Sequence, residues 1–308
     1  MPPGGLHLGL DLGATNLKWA AVASSDDGWR TLATGQTPTR SEAGPDGIVA
    51  ELAEVGLAAE REVGVDVTTV GIGIPGLYDP ATGATRFLPN VPGDWAGRPV
   101  AGPVGAAIGA PAALINDARA FTLAELTLGA GVGCDSIVAL TLGTGVGGGI
   151  AIAGRVLFGH DGTAGEIGHQ TIEPEGLPCT CGNRGCLEPY ARADRIAELC
   201  GTVSAEEAVA RARAGDQRAL TGLAEVGRWL GIGIANLIVL VNPDRVVIGG
   251  GVAVGAGDLL FDPIRSEVET RVNITSVAGI DVVAAELGML AGAIGAAVHG
   301  ALNVAGDR

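Results

Sequence analysis

Aromatic residues are scarce in this chain of 308 residues. Phe, Trp and Tyr together make up 3% of the sequence, whereas hydrophobic residues as a whole make up 47%. A sizeable core is therefore available, but it has to be built mainly from Val, Leu, Ile and Ala. Glycine is abundant at 52 residues, which indicates many places where backbone segments approach each other closely.

Basic residues are also few. The 19 Lys and Arg residues stand against 34 Asp and Glu residues, which gives a formal net charge of −15. A protein whose main task is to bind nucleic acid or an anionic membrane needs the opposite balance. A polyanionic substrate would need a local basic patch, and the sequence contains none that we recognise. The composition therefore argues against nucleic acid and membranes as partners.

Long apolar runs are missing as well. The two most apolar runs, Gly231–Val241 and Leu287–Val298, are shorter than the ~18 residues that a membrane span requires. The chain opens with MPPGG, which has neither the basic start nor the apolar run of a signal peptide. We therefore expect a cytoplasmic protein.

Cysteine is rare, but three of the five cysteines lie close together beside a histidine. The spacing H-x9-C-x-C-x4-C joins His169, Cys179, Cys181 and Cys186. One imidazole and three thiolates form the donor set of a closed tetrahedral Zn²⁺ site, in which no position is left for water. We interpret this metal as structural. The alternative is a set of free or disulfide-bonded cysteines, although Cys179 and Cys181 are too close in sequence to bridge each other easily.

Two glutamates flank this cysteine loop. Glu166 precedes it and Glu188 follows it. A metal that pins the loop would hold both carboxylates and the His169 imidazole in fixed directions, which suits a small polyhydroxyl ligand. Surface glutamates without any function are about equally expected from the sequence alone.

A strand, a glycine-rich turn and a second strand follow one another twice in the chain. The first instance places Asp11 at a strand end and continues through LGATN, and the second follows Asp135–Leu142 with GTGVGGG. Such turns present backbone N–H groups and a Thr hydroxyl that suit phosphate oxygens. Asp11 could hold Mg²⁺ directly or through water. The two turns, around Thr15 and Thr144, indicate duplicated phosphate clamps.

The remaining sequence alternates apolar strands with helices, as in an α/β protein. Strands are predicted at Leu6–Leu10, Leu17–Ala23, Val67–Ile74, Ala112–Ile115, Asp135–Leu142, Ile150–Ala153, Asp244–Gly251 and Asp281–Ala284. Helices are predicted at Gly47–Val63, Ala118–Leu128, Tyr190–Cys200, Ala205–Ala214, Gln217–Val241, from about Leu259, and at Leu287–Ala301. An irregular, proline-rich loop is expected at Gly76–Pro103.

Two strand ends and the proline-rich loop carry further candidates. Asp117 lies where a strand ends and a helix begins, at the sheet edge where α/β proteins bind ligands, although an Asp at such a place is usually an N-cap. Asn90 lies between two prolines, where its amide could be held toward a ligand, but a turn Asn is at least as common. The glycine turn after Asp244–Gly251 suits a nucleotide base or ribose.

Taken together, these stretches resemble the ROK family of sugar kinases and related repressors. The matches are DLGATNLK at Asp11–Lys18, ND at Asn116-Asp117, LTLGTGVGGGI at Leu140–Ile150, the loop AGEIGH…CTCGNRGCLE and GGG at Gly249–Gly251. They follow the family's order over nearly the whole chain. The first turn departs from the usual DxGGT at Ala14, which adds one methyl group. The loop after Asn90 contains Asp94 where a shorter PGW is usual.

The resemblance implies an actin-like, ribonuclease-H-like ATPase fold, with two α/β domains around a central cleft. We expect a smaller N-terminal α/β domain at residues 1–116 and a larger C-terminal domain at 117–298 that carries the zinc loop. A final helix at about 299–308 is expected to pack back on the first domain. The implied reaction is ATP-dependent phosphorylation of a hexose at its 6-hydroxyl, with glucose the commonest substrate.

The resemblance also assigns roles to residues, with Asp117 as the catalytic base. Its sugar contacts correspond to Asn90, Asn116, Asp117, Glu166, His169 and Glu188. Its phosphate and Mg²⁺ contacts correspond to Asp11, Gly13, Thr15, Lys18, Thr144 and Gly145, and its adenosine contacts to Gly250 and Gly251. Its structural Zn²⁺ ligands correspond to His169, Cys179, Cys181 and Cys186.

Several alternatives stay open. A kinase for N-acetylhexosamines or for several hexoses would use the same mechanism. A non-catalytic sugar-sensing protein would keep only the fold, although Asp11, Asp117 and both phosphate turns are present, and a strand at Leu6 leaves no room for the DNA-binding domain of family repressors. Polyphosphate as donor would call for a basic channel, which the charge of −15 disfavours. A homodimer or higher homo-oligomer is expected from the family alone.

Overall fold

The structure is a computed structural model that describes residues 4–304. The described chain forms two compact units. The first comprises residues 4–128, 155–164 and 289–304, and the second comprises Gly129–Gly154 and Gly165–Gly288. The end of the expected final helix, residues 305–308, lies outside the described residues.

Strands and helices alternate along most of the chain. The strands are β1 (Gly5–Leu12), β2 (Asn16–Ser25), β3 (Gly28–Pro38), β4 (Thr69–Ile74), β5 (Leu77–Asp79), β6 (Ala84–Phe87), β7 (Ala112–Asn116), β8 (Ile137–Leu142), β9 (Val146–Ile152), β10 (Arg155–Val156), β11 (Arg245–Gly249) and β12 (Asp281–Ala284). The helices are α1 (Gly44–Val63), α2 (Ala101–Ile108), α3 (Asp117–Leu128), α4 (Glu188–Ala191), α5 (Ala193–Cys200), α6 (Ala205–Arg213), α7 (Gln217–Val241), α8 (Gly251–Ala256), α9 (Asp258–Arg271) and α10 (Ala291–Val304). Short 3₁₀ helices lie at Ser41–Ala43, Ile167–His169 and Gly288–Leu290.

The two units repeat one sheet design. In the first unit the strand order is β3-β2-β1-β4-β7, with antiparallel pairs among β1, β2 and β3 and parallel pairs from β1 to β4 and β7. In the second unit β9 pairs antiparallel with β8, and β8, β11 and β12 are parallel. In both units a hairpin is thus followed by parallel strands, and each hairpin carries one of the predicted glycine turns.

Helix α10 packs its backbone directly on the first sheet and on α3. A Cβ atom on Gly71 in β4 would lie 1.6 Å from the carbonyl oxygen of Ala296, and one on Gly295 would lie 1.7 Å from that of Ala120. Real side chains never approach backbone oxygen this closely, so only glycine fits at these two positions. The high glycine content therefore serves a packing of helix on sheet and helix on helix.

This packing explains why the first unit extends beyond residue 116, the boundary expected from the sequence. Helix α3 begins at Asp117 but belongs to the first unit, because it packs against α10 and α10 lies on β1 and β4. The helix that returns to the first unit begins at Ala291 and not at about 299. Residues 155–164 also belong to the first unit, which no feature of the sequence indicates.

Several elements depart from the predicted pattern. The prediction omits β3, an edge strand whose half-exposed residues lack the apolar signal of a buried strand. The segment Gly76–Pro103, expected to be irregular, contains the hairpin β5–β6 and the first residues of α2. The third glycine turn leads at once into α8, and Gly257, with φ of 55°, separates this helix from α9.

Helix α7 lies in the core of the second unit. Its residues Leu223, Leu230 and Ile234 are fully buried. Among residues 4–304, α7 is the one helix long and apolar enough to cross a membrane, and half of its most apolar window is buried. The continuous apolar runs in the sequence are too short to predict a helix that meets this criterion. A buried core helix passes the same test of length and composition.

The buried side chain of His7 on β1 links the two strands on either side of it. His7 is 1% exposed, and its ring nitrogens lie 2.9 Å from Thr69 Oγ1 and 2.8 Å from Ser24 Oγ. Burial lowers the pKa of His7 below its ordinary value. The folded protein therefore keeps this imidazole neutral, as a hydrogen-bonding link between β2 and β4.

Gly71→Ala should destabilise the protein strongly. The added Cβ would meet backbone that cannot turn aside, so we expect the free energy of unfolding to fall by ~3 kcal/mol, measured by urea unfolding. Gly102→Ala is the matched control, because an added Cβ there meets nothing within 4 Å. This variant should be neutral or gain up to ~1 kcal/mol. Equal effects of the two substitutions would contradict the packing described above.

Stability should also fall as the pH drops below about 6.5. The unfolded chain takes up a proton at His7 near that pH, whereas the folded protein resists it until the lower folded pKa is reached. The loss should amount to at most ~1.4 kcal/mol per pH unit in this window. Urea unfolding at several pH values should show a flatter profile for His7→Gln. The exposed His160 provides the control, and a profile unchanged by His7→Gln but flattened by His160→Gln would refute this origin.

Candidate functional site

The first glycine turn is fixed by side chains that follow β3. Thr39 Oγ1 donates a hydrogen bond to the carbonyl oxygen of Gly13 at 2.7 Å, and Ser41 Oγ donates to that of Ala14 at 2.8 Å. The tip residue Thr15 is exposed. Ala14 is exposed too and does not have a positive φ, so its methyl group fits. Sequence reasoning missed Thr39 and Ser41, because they lie about 25 residues from the turn they support.

Asp11 and Lys18 come together beside this turn. They face each other across β1 and β2, with Lys18 Nζ 3.6 Å from Asp11 Oδ2. Asp11 is buried, which raises its pKa, while the neighbouring Lys18 acts in the opposite direction. A Cβ on Gly292 would lie 2.6 Å from the same carboxylate oxygen. Glycine at the start of α10 therefore makes room for the carboxylate.

Asn116 and Asp117, at the N-terminal end of α3, have different environments. The side-chain Oδ1 of Asn116 accepts hydrogen bonds from the backbone N–H groups of Ala118 at 3.0 Å and Arg119 at 3.3 Å. Asn116 is thus the N-cap, the role that the sequence leaves open for Asp117. Asp117 is half-buried, and its Oδ1 lies 2.8 Å from the Ala118 nitrogen.

Asn90 has an uncommon backbone conformation in the proline-rich loop. Its φ is 62°, and it is exposed. Asn tolerates this left-handed region better than most residues, so the value suits both a turn and a displayed amide. The loop is anchored by buried Trp95, whose Nε1 donates to the carbonyl oxygen of Val91 at 3.1 Å. Asp94 is exposed and accepts from the Ala96 nitrogen at 3.2 Å.

In the second unit, Glu188 lies against the second glycine turn. Its Oε2 accepts from the backbone N–H of Val146 at 3.1 Å, and a Cβ on Gly145 would lie 2.4 Å from this oxygen. Thr144 is exposed at the tip of the turn. The family resemblance assigns Gly145 and Glu188 to different ligands, and the sequence gives no sign that the two residues touch.

The third glycine turn adjoins the end of β8. Gly250 has φ of 100°, and a Cβ on it would lie 2.0 Å from the carbonyl oxygen of Leu142. Gly250 therefore satisfies two conditions that exclude other residues. Gly251 is exposed and has open space around its Cα. The second and third glycine turns thus lie side by side at the ends of the parallel strands β8 and β11.

The cysteine loop brings its four candidate ligands together. Single donor atoms of His169, Cys179, Cys181 and Cys186 all lie within 4.8 Å of one another. Cys179 Sγ is 3.6 Å from His169 Nδ1, and Cys181 Sγ is 3.7 Å from Cys186 Sγ. A tetrahedral zinc ion with three sulfur ligands and one nitrogen ligand requires separations of about 3.5–3.8 Å. The cysteines are unbridged, and the donor set and spacing fit zinc.

The surroundings of the cysteine loop agree with this fit. Gly182 and Gly185 have φ of 92° and 70°, values that favour glycine and let the chain turn back at both positions. Burial and the two neighbouring thiols raise the pKa of Cys186 to about 12. The Cys186 thiolate therefore needs a cation nearby to stay ionised. With Nδ1 of His169 facing Cys179, the other ring nitrogen is left for a different partner, and exposed Glu166 lies just before it in the chain.

The structure is that of an α/β protein with glycine turns at its strand ends, and comparisons with known proteins identify its class. A crystal structure of the ROK hexokinase from Thermus thermophilus matches with a TM-score of 0.83 at 37% identity, covering 98% of this chain and 99% of the other. That of a ROK family glucokinase from Streptomyces griseus, in complex with glucose and AMPPNP, gives 0.79 at 34% identity, covering 96% and 99%. The predicted actin-like ATPase fold is confirmed.

The sequence comparisons specify the family within that fold. The model of the ROK family matches residues 7–300. A glucokinase from Thermotoga maritima is 39% identical over 311 residues, which cover 94% of this chain and 95% of the relative. The chain belongs to the ROK family.

Proposed function

We propose that the protein is an ATP-dependent hexose kinase that phosphorylates the 6-hydroxyl of glucose. The observation that carries this proposal is the half-buried carboxylate of Asp117 at the head of α3, where Asn116 already provides the cap. The similarity to glucokinases along nearly the whole chain supports the choice of sugar.

Asp117 acts as the base in this reaction. The N-terminal end of α3 favours the ionised carboxylate, which accepts a hydrogen bond from the 6-hydroxyl and so orients its oxygen toward the γ-phosphate. Phosphoryl transfer depends more on such positioning than on strong deprotonation. The proton therefore passes to Asp117 late, as the oxygen–phosphorus bond forms.

The other sugar hydroxyls are assigned to five polar side chains. We assign them to Asn90, Asn116, Glu166, His169 and Glu188. Glu188 holds the Val146 N–H with one carboxylate oxygen and has the second for a hydroxyl. His169 would give Nδ1 to the zinc and keep Nε2–H as a donor, so that the metal fixes its tautomer.

The phosphates of ATP are assigned to the two glycine turns and the adenosine to Gly250 and Gly251. Gly13, Thr15, Thr144 and Gly145 offer backbone N–H groups and hydroxyls, and Lys18 adds one positive charge. Asp11 is the residue proposed to hold Mg²⁺, directly or through water. When bound, this ion would offset negative charge on the transferred group.

The cysteine ligands and the net charge bear on cellular location and partners. Three thiolate ligands are best preserved in a reducing compartment, so we place the protein in the cytoplasm. We assign it no nucleic-acid or membrane partner, because its net charge is −15. A homodimer is proposed from family membership and would be read directly from light scattering.

The proposal is tested by ADP release from Mg-ATP with glucose, mannose, fructose, N-acetylglucosamine or N-acetylmannosamine. Turnover that depends on glucose supports it. Preference for an acetylated sugar would keep the mechanism and direct attention to the loop at Asp94. The absence of turnover with every sugar, in protein shown to contain zinc, would favour a sugar-sensing protein without activity.

Asp117→Asn should lower kcat by ~10²–10⁴-fold, because the amide keeps the shape of the carboxylate but cannot accept the proton. Glucose binding, measured by calorimetry, and zinc content should both be retained. Asp262→Asn, an exposed change on α9, is the control and should leave kcat unaltered. Near-normal kcat in Asp117→Asn would remove Asp117 from the catalytic role.

Cys181→Ser should weaken zinc binding and the sugar site together. We expect purified protein to contain one zinc ion per chain and the variant to lose most of it. Its glucose KM should then rise about tenfold or more, and its ATP KM should change less. Cys134→Ser lies outside the metal cluster and should keep both the metal and the KM. Zinc-free protein with an unchanged glucose KM would refute the coupling.

A further inference from the structure

Arg119 is the largest fully buried side chain among residues 4–304. It is 1% exposed and lies in the first turn of α3, two residues after Asp117. A guanidinium is always charged, and its burial is costly unless its donors find acceptors. The acceptors of Arg119 therefore indicate which parts of the fold depend on it.

Two of its donors converge on one backbone oxygen. Nε and Nη2 of Arg119 lie 3.0 Å and 2.7 Å from the carbonyl oxygen of Ala164. Ala164 is the last residue of the segment 155–164 in the first unit, and the chain enters the second unit at Gly165. Arg119 thus holds the chain at the point from which it continues to Glu166.

A third donor of Arg119 fixes the cap of its own helix. Nη1 lies 2.7 Å from Oδ1 of Asn116, the same oxygen that caps α3. The Asn116 amide nitrogen donates to the carbonyl oxygen of Gly76 at 3.0 Å. Turning the amide over would place its NH₂ group against the guanidinium and against the two backbone N–H groups of α3, so the charged donor and the helix backbone together fix the orientation of Asn116.

We propose that Arg119 is a positioning residue for the sugar-phosphorylation reaction. It acts through Asn116, which precedes the base Asp117, and through Ala164, two residues before Glu166, and it holds both in one arrangement within the first unit. Because it is buried, it contacts neither sugar nor nucleotide. This inference rests on the proposed function.

Lysine should not replace Arg119 in this role. The guanidinium reaches the Ala164 carbonyl oxygen with two donors of one edge and Asn116 Oδ1 with a third donor. An ammonium group is a compact charge on a flexible stem and lacks this planar fork. The positions of Asn116 and Ala164 therefore depend on the shape of the donor group as well as on its charge.

Arg119→Ala followed by chemical rescue tests the proposal. The variant should lose ~100-fold in kcat/KM for glucose, because small misplacements of catalytic groups have effects of this size. Its KM for ATP should change less than about threefold. Guanidinium ion in the millimolar range should restore activity at least about tenfold and saturably, since it can refill the vacated space and its hydrogen bonds. Urea at equal concentrations has a similar shape without the charge and should not.

Two further variants make the result interpretable. Arg119→Lys keeps the charge and most of the volume, and it decides the question if Arg119→Ala does not fold. We expect it to fold and to lose about tenfold or more in kcat/KM for glucose. Arg228→Ala removes a partly exposed arginine paired with Glu225 on α7, and this control should neither lose activity nor respond to guanidinium.

The outcomes separate this inference from the proposed function. Full activity of Arg119→Lys, or guanidinium that raises the melting temperature of Arg119→Ala without restoring turnover, would make Arg119 a purely structural residue and overturn the inference. A wild-type protein without sugar-kinase activity would instead refute the proposed function, and the inference would fall with it.

Discussion

The close approach of α10 to the first sheet depends on glycine and leaves room for the carboxylate of Asp11. The helix backbone can contact β4 because Gly71 has no side chain. The same helix then brings Gly292 to the end of β1, where the missing Cβ leaves space for the carboxylate of Asp11. The glycines that allow close packing in the core thus also shape the proposed phosphate site beside Asp11.

This arrangement suits a protein with a net charge of −15. Phosphate oxygens in the proposed site face backbone N–H groups of glycine turns, with Lys18 as one nearby cation. Backbone donors are fixed by the fold and attract anions locally without any contribution from overall charge. An acidic chain can therefore bind a polyanionic nucleotide while its carboxylates, such as Glu188, remain available to accept hydrogen bonds from hydroxyl groups.

The sequence predicts those parts of the structure whose signal is local. Helix α7 and strand β12 have the predicted bounds, because apolar periodicity and flanking turns define both. The ligand cluster of the cysteine loop follows from residue type and spacing. In contrast, the contact of Glu188 with Gly145 and the support of the first turn by Thr39 depend on tertiary packing, and single polar residues carry no sign of their distant partners.

The ND pair at the head of α3 illustrates how neighbouring residues acquire separate tasks. From sequence alone, either residue is a credible N-cap, because both side chains accept hydrogen bonds from the first helical turn. The structure gives the cap to Asn116, whose oxygen already receives two backbone donors and one guanidinium donor. An Asp in its place would pair with the guanidinium of Arg119 and also put a second carboxylate beside Asp117. A neutral cap beside Asp117 thus leaves a single carboxylate at the helix end, and Arg119 contributes, with the backbone of α3, to the orientation of that amide.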